Sequence, residues 1–181
     1  MLRDPVGPED HYLGPADAPV VLVEYGDYEC PHCARAHAVM QVVLAELAED
    51  VRFVFRNFRL GEIHPHAQMA AEAAESVGAH GGNDAFWDTH DLLFANQDAL
   101  DPDDLLDYAA AVGVDRTAVA QDLATGAMTA RVRADFKSGI RSGVNGTPTF
   151  FVNGRRFDGK WADAVAFATA LRAAARRPLS A

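Results

Sequence analysis

The chain has 181 residues, of which 49% are hydrophobic and 23% are charged, and its formal net charge at pH 7 is −10. This composition, with no long apolar run, predicts one globular domain with room for an insertion and excludes a chain that inserts into a membrane. The negative charge repels phosphate groups, so we expect neither nucleic acids nor anionic lipid surfaces as partners.

The first elements predicted along the chain are a strand, a helix and a second strand. Residues 19–25 form a short β-branched segment that ends before Gly26, which is typical of a buried strand. An Ala-rich stretch with apolar residues at three- and four-residue spacing follows Cys30 and predicts a helix to about Asp50. Residues 51–58 predict the second strand. Strands joined by one helix lie parallel with a right-handed crossover, so this region predicts the start of an α/β sheet.

The remainder of the chain is predicted to be helical up to a final hairpin and helix. Residues 66–144 contain Ala-rich and acidic stretches separated by glycines, which predict four or five helices. A stripe of ring side chains at helical spacing is interpreted as packing of these helices against the sheet: Phe86, Trp87, His90 and Phe94. The dipeptide Asn153-Gly154 predicts a hairpin between residues 149–152 and 155–158. Residues 161–177 predict a closing amphipathic helix.

Both cysteines of the protein lie in the segment Cys30-Pro31-His32-Cys33, where the first strand gives way to the first helix. The N–H groups of a helix's first turn have no intrahelical partners and carry partial positive charge, so they stabilise a thiolate. Pro31 suits the first helical position, where its missing N–H costs nothing. Such a site lowers the pKa of a cysteine from about 8.5 to roughly 3.5–7.5. We therefore predict Cys30 as the nucleophile and Cys33, one turn deeper, as the thiol that resolves a mixed disulfide.

Charged neighbours of the two cysteines act in opposite directions on the predicted thiolate. A protonated imidazole at His32 stabilises the thiolate, which favours the reduced form and makes the disulfide more oxidising. The carboxylates of Asp27 and Glu29 disfavour a second negative charge nearby. The sequence therefore leaves the redox potential of the pair open.

The segment YGDYECPHC, the strand before it and the later segment GVNGTPTFFVNG resemble the thioredoxin superfamily, specifically the DsbA-like thiol-disulfide oxidoreductases. The resemblance implies a thioredoxin-like sheet of four or five strands, built from residues 1–61 and 141–181, with residues 62–140 as an all-helical insertion over the active site. It also implies a cis peptide bond at Thr147-Pro148 facing the cysteines. There, the backbone of Thr147 pairs with an extended substrate, Pro148 covers the sulfurs, and the Thr147 hydroxyl is within reach of Cys30.

The resemblance further implies a function for Glu24, which lies six residues before Cys30. In thioredoxin-like proteins a buried acid at this position exchanges a proton with the resolving cysteine, and burial raises the pKa of a carboxyl group toward the range needed. The strand pattern alone is equally compatible with an edge-strand carboxylate that faces water.

Two alternatives for the cysteine pair are less favourable. A zinc site would need four ligands, and the available ones are Cys30, Cys33, His64 and His66. No second CxxC or paired histidines on a helix complete such a site, so we expect no bound metal and no cofactor beyond the cysteine pair. A purely structural disulfide would close a very short loop and remove little chain entropy.

The sequence thus predicts an enzyme that exchanges a Cys30–Cys33 disulfide with cysteine-containing protein or peptide substrates and that relies on an unidentified redox partner. The Pro-His dipeptide resembles strongly oxidising members of the family, whereas Tyr28-Glu29 and Thr147 depart from them. We predict a dithiol oxidase. A reductase or isomerase, or a non-catalytic module that binds clients or zinc, remains an alternative.

Assembly and location are predicted from what the chain contains. Isomerases of this family usually carry a dimerisation domain, and no segment is left to build one, which disfavours isomerase activity. We also expect a monomer. The amino terminus contains no apolar stretch of signal-peptide length, which predicts a cytoplasmic location for the chain as given. If an export signal was removed, the predicted location is instead the periplasm or the cell envelope.

Overall fold

A computed structural model describes residues 1–176 of the chain, which contain one mixed five-stranded sheet and six helices. In chain order the elements are β1 (Tyr12–Leu13), β2 (Val20–Gly26), α1 (Pro31–Glu46), β3 (Val51–Asn57), α2 (Ala67–Ala95), α3 (Pro102–Ala111), α4 (Arg116–Thr125), α5 (Thr129–Ser142), β4 (Thr149–Val152), β5 (Arg155–Phe157) and α6 (Ala164–Ala175). The predicted α/β fold class is confirmed. The predicted end of the last helix at residue 177 and of its domain at residue 181 lie outside the described residues.

The sheet has five strands in the order β1-β3-β2-β4-β5, so β2 occupies its centre. Strands β2 and β3 are parallel, as predicted for strands joined by one helix, and β4 pairs antiparallel with β2. The hairpin between β4 and β5 turns at Asn153 and Gly154, whose φ angles are 48° and 75°. Positive φ at both positions is what a two-residue hairpin turn requires, which explains the Asn-Gly pair.

Strand β2 is buried on both faces, and the alternation of its side chains determines which of them face α1. Val20 and Leu22 belong to the core that α1 and α6 cover, whereas Val23 and Tyr25 belong to the core on the opposite face. Because side chains alternate along a strand, Glu24 lies on the same face as Leu22 and is directed toward α1.

Helices α2 to α5 fill the region predicted to be helical, and α2 is interrupted at Gly82, where φ is 83°. The second half of α2 packs on β3: the ring centroids of Phe53 and Trp87 lie 5.4 Å apart, and those of Phe55 and His90 lie 4.7 Å apart. The aromatic stripe therefore packs against the sheet as predicted. The boundary of an insertion at residues 62–140 stays a prediction. Among the described helices, none combines the length and apolarity that crossing a bilayer requires.

Candidate active site

The two cysteines lie at the amino-terminal end of α1, which starts directly after the loop that follows β2. Cys30 is the residue before the helix, with φ −78° and ψ 121°, and Pro31 opens it. The carbonyl oxygen of Cys30 accepts hydrogen bonds from the N–H groups of Cys33 and Ala34, at 3.0 and 3.1 Å. Cys33 therefore lies in the first turn, as the spacing predicts.

The environments of the two thiols shift their pKa values in opposite directions. The pKa of Cys30 falls from 9.0 to about 5, chiefly through a hydrogen bond from the Cys33 side chain, assisted by the Thr147 side chain and the N–H groups of Cys33 and His32; burial opposes the shift. The pKa of Cys33 rises well above 9.0 because the thiol is buried, because it donates to Cys30, and because the Glu24 carboxyl lies nearby. A single thiolate on Cys30 is thus the favoured ionisation state of the reduced pair.

Residues 147 and 148 lie across from the first cysteine. The Thr147–Pro148 peptide bond is cis. The Sγ atom of Cys30 lies 3.7 Å from the carbonyl oxygen of Thr147, to which the thiol donates when it is protonated. The Thr147 hydroxyl is buried and makes no hydrogen bond of ordinary geometry within residues 1–176, yet it lies close enough to both sulfurs to lower their pKa values. Thr147 therefore contacts the cysteine pair through both its backbone and its side chain.

Glu24 lies beneath the cysteines in the centre of the sheet. Its side chain is only 2% exposed, so the alternative of a carboxylate facing water does not hold. Burial raises the pKa of Glu24 from 4.5 to about 8, and the negative charge of Cys30 contributes in the same direction. The carboxyl group is therefore neutral at pH 7 and changes charge close to that pH.

His32 lies between the two cysteines in the sequence. The residue is exposed on the first turn of α1. Its backbone N–H group lowers the pKa of Cys30, by less than the side chains of Cys33 and Thr147 do. The effect of a protonated imidazole at this position stays a prediction.

The loop before Cys30 is held by a residue that the sequence analysis did not identify. The Gln97 side-chain amide donates to the carbonyl oxygens of Tyr28 and Cys30, at 2.7 and 3.0 Å. Gln97 follows α2, almost seventy residues from the loop, and no local pattern marks it. It connects the helical region with the backbone of the nucleophile.

The two acids of the loop, expected only as repulsive charges, are engaged in specific contacts. Asp27 accepts the N–H of Leu60 at 2.7 Å and contacts the His64 ring at 2.9 Å. Glu29 accepts the N–H of His66 at 2.6 Å and contacts its ring at 2.9 Å. These contacts join the loop to the segment that leads into α2, and the hydrogen bond with Glu29 raises the pKa of His66.

The same contacts bear on the zinc alternative, because they direct both histidines toward carboxylates of the loop rather than toward the cysteines. Among residues 1–176, the group of three or more possible metal ligands whose ligand atoms lie within 4.8 Å of one another consists of His37, His90 and Asp91. That group contains neither cysteine. The residues proposed for the zinc alternative therefore do not form a site together.

Comparison with known proteins relates the chain to one family and to solved structures of similar fold. A profile of the family described as Thioredoxin matches residues 7–168. The oxidised form of BdbD from Bacillus subtilis is 26% identical, with a TM-score of 0.85, covering 93% of this chain and 94% of that one. A thioredoxin-like oxidoreductase from Silicibacter pomeroyi DSS-3 is 28% identical, with a TM-score of 0.73, covering 91% and 94%.

Curated relatives are similar to the chain over only part of their own length. The Na(+)/H(+) antiporter NhaA 1 of Salinispora arenicola (strain CNS-205) is 45% identical over 161 residues, which are 88% of this chain and 24% of that protein. The chain thus spans about a quarter of the length of the curated relatives it matches.

Proposed function

The chain belongs to the thioredoxin family, and from this premise we propose that it is a DsbA-like protein disulfide oxidoreductase. The observation that carries the proposal is the position of two cysteines at the start of one helix, with the Sγ atom of Cys30 3.7 Å from the carbonyl oxygen of Thr147. This environment lowers the pKa of Cys30 and raises that of Cys33. The low pKa of Cys30 supplies a thiolate at neutral pH, and the thiolate is the reactive form of cysteine. Antiport activity, named for relatives that extend far beyond this chain, is not part of the proposal.

The proposed reaction begins from the Cys30–Cys33 disulfide. A client thiolate attacks the sulfur of Cys30, a client–Cys30 bond forms, and the intramolecular bond breaks with both of its electrons going to Cys33. A second client thiolate then attacks the client sulfur of the mixed disulfide and releases Cys30 as a thiolate. The client pair loses two electrons and the protein pair gains them, so no cofactor is consumed.

Glu24 supplies the proton that these exchange steps require when Cys33 is released. Cys33 leaves the disulfide as a thiolate in a buried site that strongly disfavours its charge. A neutral carboxyl group with a pKa of about 8 is matched to deliver a proton there and to recover it when Cys33 is oxidised again. The exposed His32 is proposed to stabilise the Cys30 thiolate when its imidazole is protonated.

Substrate binding is assigned to Thr147 and Pro148. The carbonyl oxygen of Thr147 already contacts the Cys30 thiol, so an extended client segment that pairs with this backbone has its cysteine next to the nucleophile. The family likeness and this contact support cysteine-containing proteins or peptides as substrates.

The oxidase direction is proposed for the same electrostatic reason. A cysteine whose thiolate is stabilised favours the reduced pair, and a disulfide whose reduced form is stabilised is the stronger oxidant. The low pKa of Cys30 therefore supports donation of disulfides to clients. Reductase or isomerase activity is the alternative, to be distinguished by equilibrating the pair with glutathione buffers.

Trapping of the mixed disulfide tests the proposed exchange directly. Without the resolving thiol, the variant Cys33→Ala should attack disulfides of oxidised client proteins through the Cys30 thiolate and retain the clients as covalent adducts, visible on non-reducing gels after alkylation and lost on reduction. Each adduct forms with release of one client thiolate, so no external oxidant is needed. The variant Cys30→Ala retains only the buried thiol and should form no such adducts. Equal adduct formation by the two variants, or none with Cys33→Ala, would contradict the function.

A further inference from the structure

A cluster of three potential metal ligands lies between α1 and α2, away from the cysteine pair. His37 is on α1, one turn after Cys33, and His90 and Asp91 are on the second half of α2. The Nε2 atom of His37 lies 3.4 Å from Oδ1 of Asp91, and the ring centroids of the two histidines are 5.2 Å apart. We propose that these three side chains bind a divalent transition metal ion, with Zn²⁺ as the best match.

The spacing of the ligand atoms suits such an ion. With zinc–nitrogen distances of 2.0–2.1 Å, neighbouring ligand atoms of a tetrahedral site are about 3.4 Å apart. The His37–Asp91 pair already has this separation, and all three ligand atoms lie within 4.8 Å of one another. A small movement of the half-buried His37 ring therefore closes the site.

The orientation of both imidazoles is determined by other groups. His90 is 3% exposed, and its Nδ1 contacts the hydroxyl of Tyr28 at 3.1 Å, which leaves Nε2 as the nitrogen that can face an ion. Metal-binding histidines commonly donate their second N–H to such a partner, which fixes the tautomer. His37 stacks on the ring of Phe94, with centroids 5.0 Å apart.

A cavity of about 620 Å³ between the two helices is lined in part by His37, Asp88 and Asp91, which gives solvent and ions access to two of the three ligands. Three protein ligands, two of which line an open cavity, leave the fourth position to water. The net charge of −10 also favours the approach of cations.

Occupation of this site has a structural consequence. The ion joins α1, which begins directly after Cys30 and contains Cys33, to α2, and the contact of His90 with Tyr28 extends this connection to the loop before Cys30. An ion that binds only the folded protein raises its stability by mass action. No local sequence pattern indicates this cluster, because His37 is separated from the other two ligands by more than fifty residues.

The test uses the double variant Cys30→Ser/Cys33→Ser, in which no thiol can bind metal. Zn²⁺ alone is titrated into this protein by calorimetry, and its melting temperature is measured with and without the ion. We expect one equivalent to bind and the melting temperature to rise. Co²⁺ in place of Zn²⁺ should give the visible absorption of a tetrahedral site. Absence of binding, or binding only when the cysteines are present, overturns the proposal.

Ligand substitutions in the same thiol-free protein locate the site. His37→Gln and Asp91→Asn change side chains at the cavity, and each should weaken Zn²⁺ binding by about tenfold or more. The matched control is His80→Gln, because His80 also pairs with an acid, Asp122, yet lies outside the cluster; binding should be unchanged. Melting curves without metal verify that each variant is folded.

Undiminished Zn²⁺ affinity in both His37→Gln and Asp91→Asn, or an equal loss in His80→Gln, contradicts the assignment. The thiol-free protein has no disulfide to exchange, so these outcomes are independent of the proposed enzymatic function.

Discussion

Replacing Glu24 by glutamine tests the buried carboxyl group through the pH dependence of stability. Glu24 is almost fully buried, and its pKa rises from 4.5 to about 8 because of that burial, with the charge of Cys30 adding to the effect. Between these pH values the unfolded chain has released this proton while the folded protein retains it. The free energy of unfolding therefore falls as pH rises through this range.

The magnitude follows from the width of that range. The interval between 4.5 and about 8, at about 1.4 kcal/mol per pH unit, corresponds to about 5 kcal/mol of stability lost from this one group. Glutamine cannot ionise, so Glu24→Gln should escape this loss. Its stability relative to the wild type should increase by up to about 5 kcal/mol from mildly acidic to mildly alkaline pH. The amide that replaces the carboxyl group also changes the free energy of unfolding through its altered hydrogen bonding. That change is the same at every pH, so it does not affect the difference between the two pH profiles.

The assay is urea unfolding of both reduced proteins over this pH range, with the free energy of unfolding compared at each pH. Glu62→Gln is the control, because Glu62 is exposed on the loop before α2 and its substitution should leave the pH dependence unchanged. If wild type and Glu24→Gln show parallel pH profiles, then the carboxyl group ionises as it does in water and the proton-transfer role is refuted.

Two further substitutions test the packing around the site. Gln97→Leu removes the hydrogen bonds to the loop carbonyls, including that of Cys30, and should lower the free energy of urea unfolding by about 1–3 kcal/mol; an unchanged value would show that these bonds contribute nothing. Gly139→Ala places a Cβ atom 2.6 Å from the Phe58 ring and 3.1 Å from the Tyr25 ring. The crowding costs about 1–3 kcal/mol, more than the gain in helix propensity of up to about 1 kcal/mol, so a stabilised variant would contradict this packing.

Local sequence signals account for the parts of the fold that were predicted correctly. The β-branched segment of β2, the Asn153-Gly154 turn and Pro31 at a helix start each reflect a conformational preference of the residues themselves. Strand β1 was not predicted, because it contains only Tyr12 and Leu13 and is defined by its pairing with β3. Two residues are too few to show an alternation pattern.

The residues of the candidate site likewise fall into two groups, those marked by local sequence and those brought together only by tertiary packing. The two cysteines are marked by their spacing and by their position at a strand-to-helix junction, whereas Gln97 and the His64–Asp27 contact depend on tertiary packing across thirty or more residues. The strand pattern could not decide the burial of Glu24, because alternation identifies a face but does not show what covers it. The burial of Glu24 depends on the position of α1 over the sheet, which the strand pattern does not contain.

The pKa of Cys30 is the central quantity of this account. The ultraviolet absorbance of the thiolate, followed as the reduced protein is titrated, measures it without requiring access of a reagent, and the variant Cys30→Ser identifies the signal. We expect a transition centred at about pH 5 in the wild type that is absent in Cys30→Ser. In Cys33→Ala, which lacks the main hydrogen bond to Cys30, the transition should move to higher pH. A wild-type transition near pH 9, the ordinary value for a cysteine, would contradict the proposed nucleophile and the exchange reaction built on it.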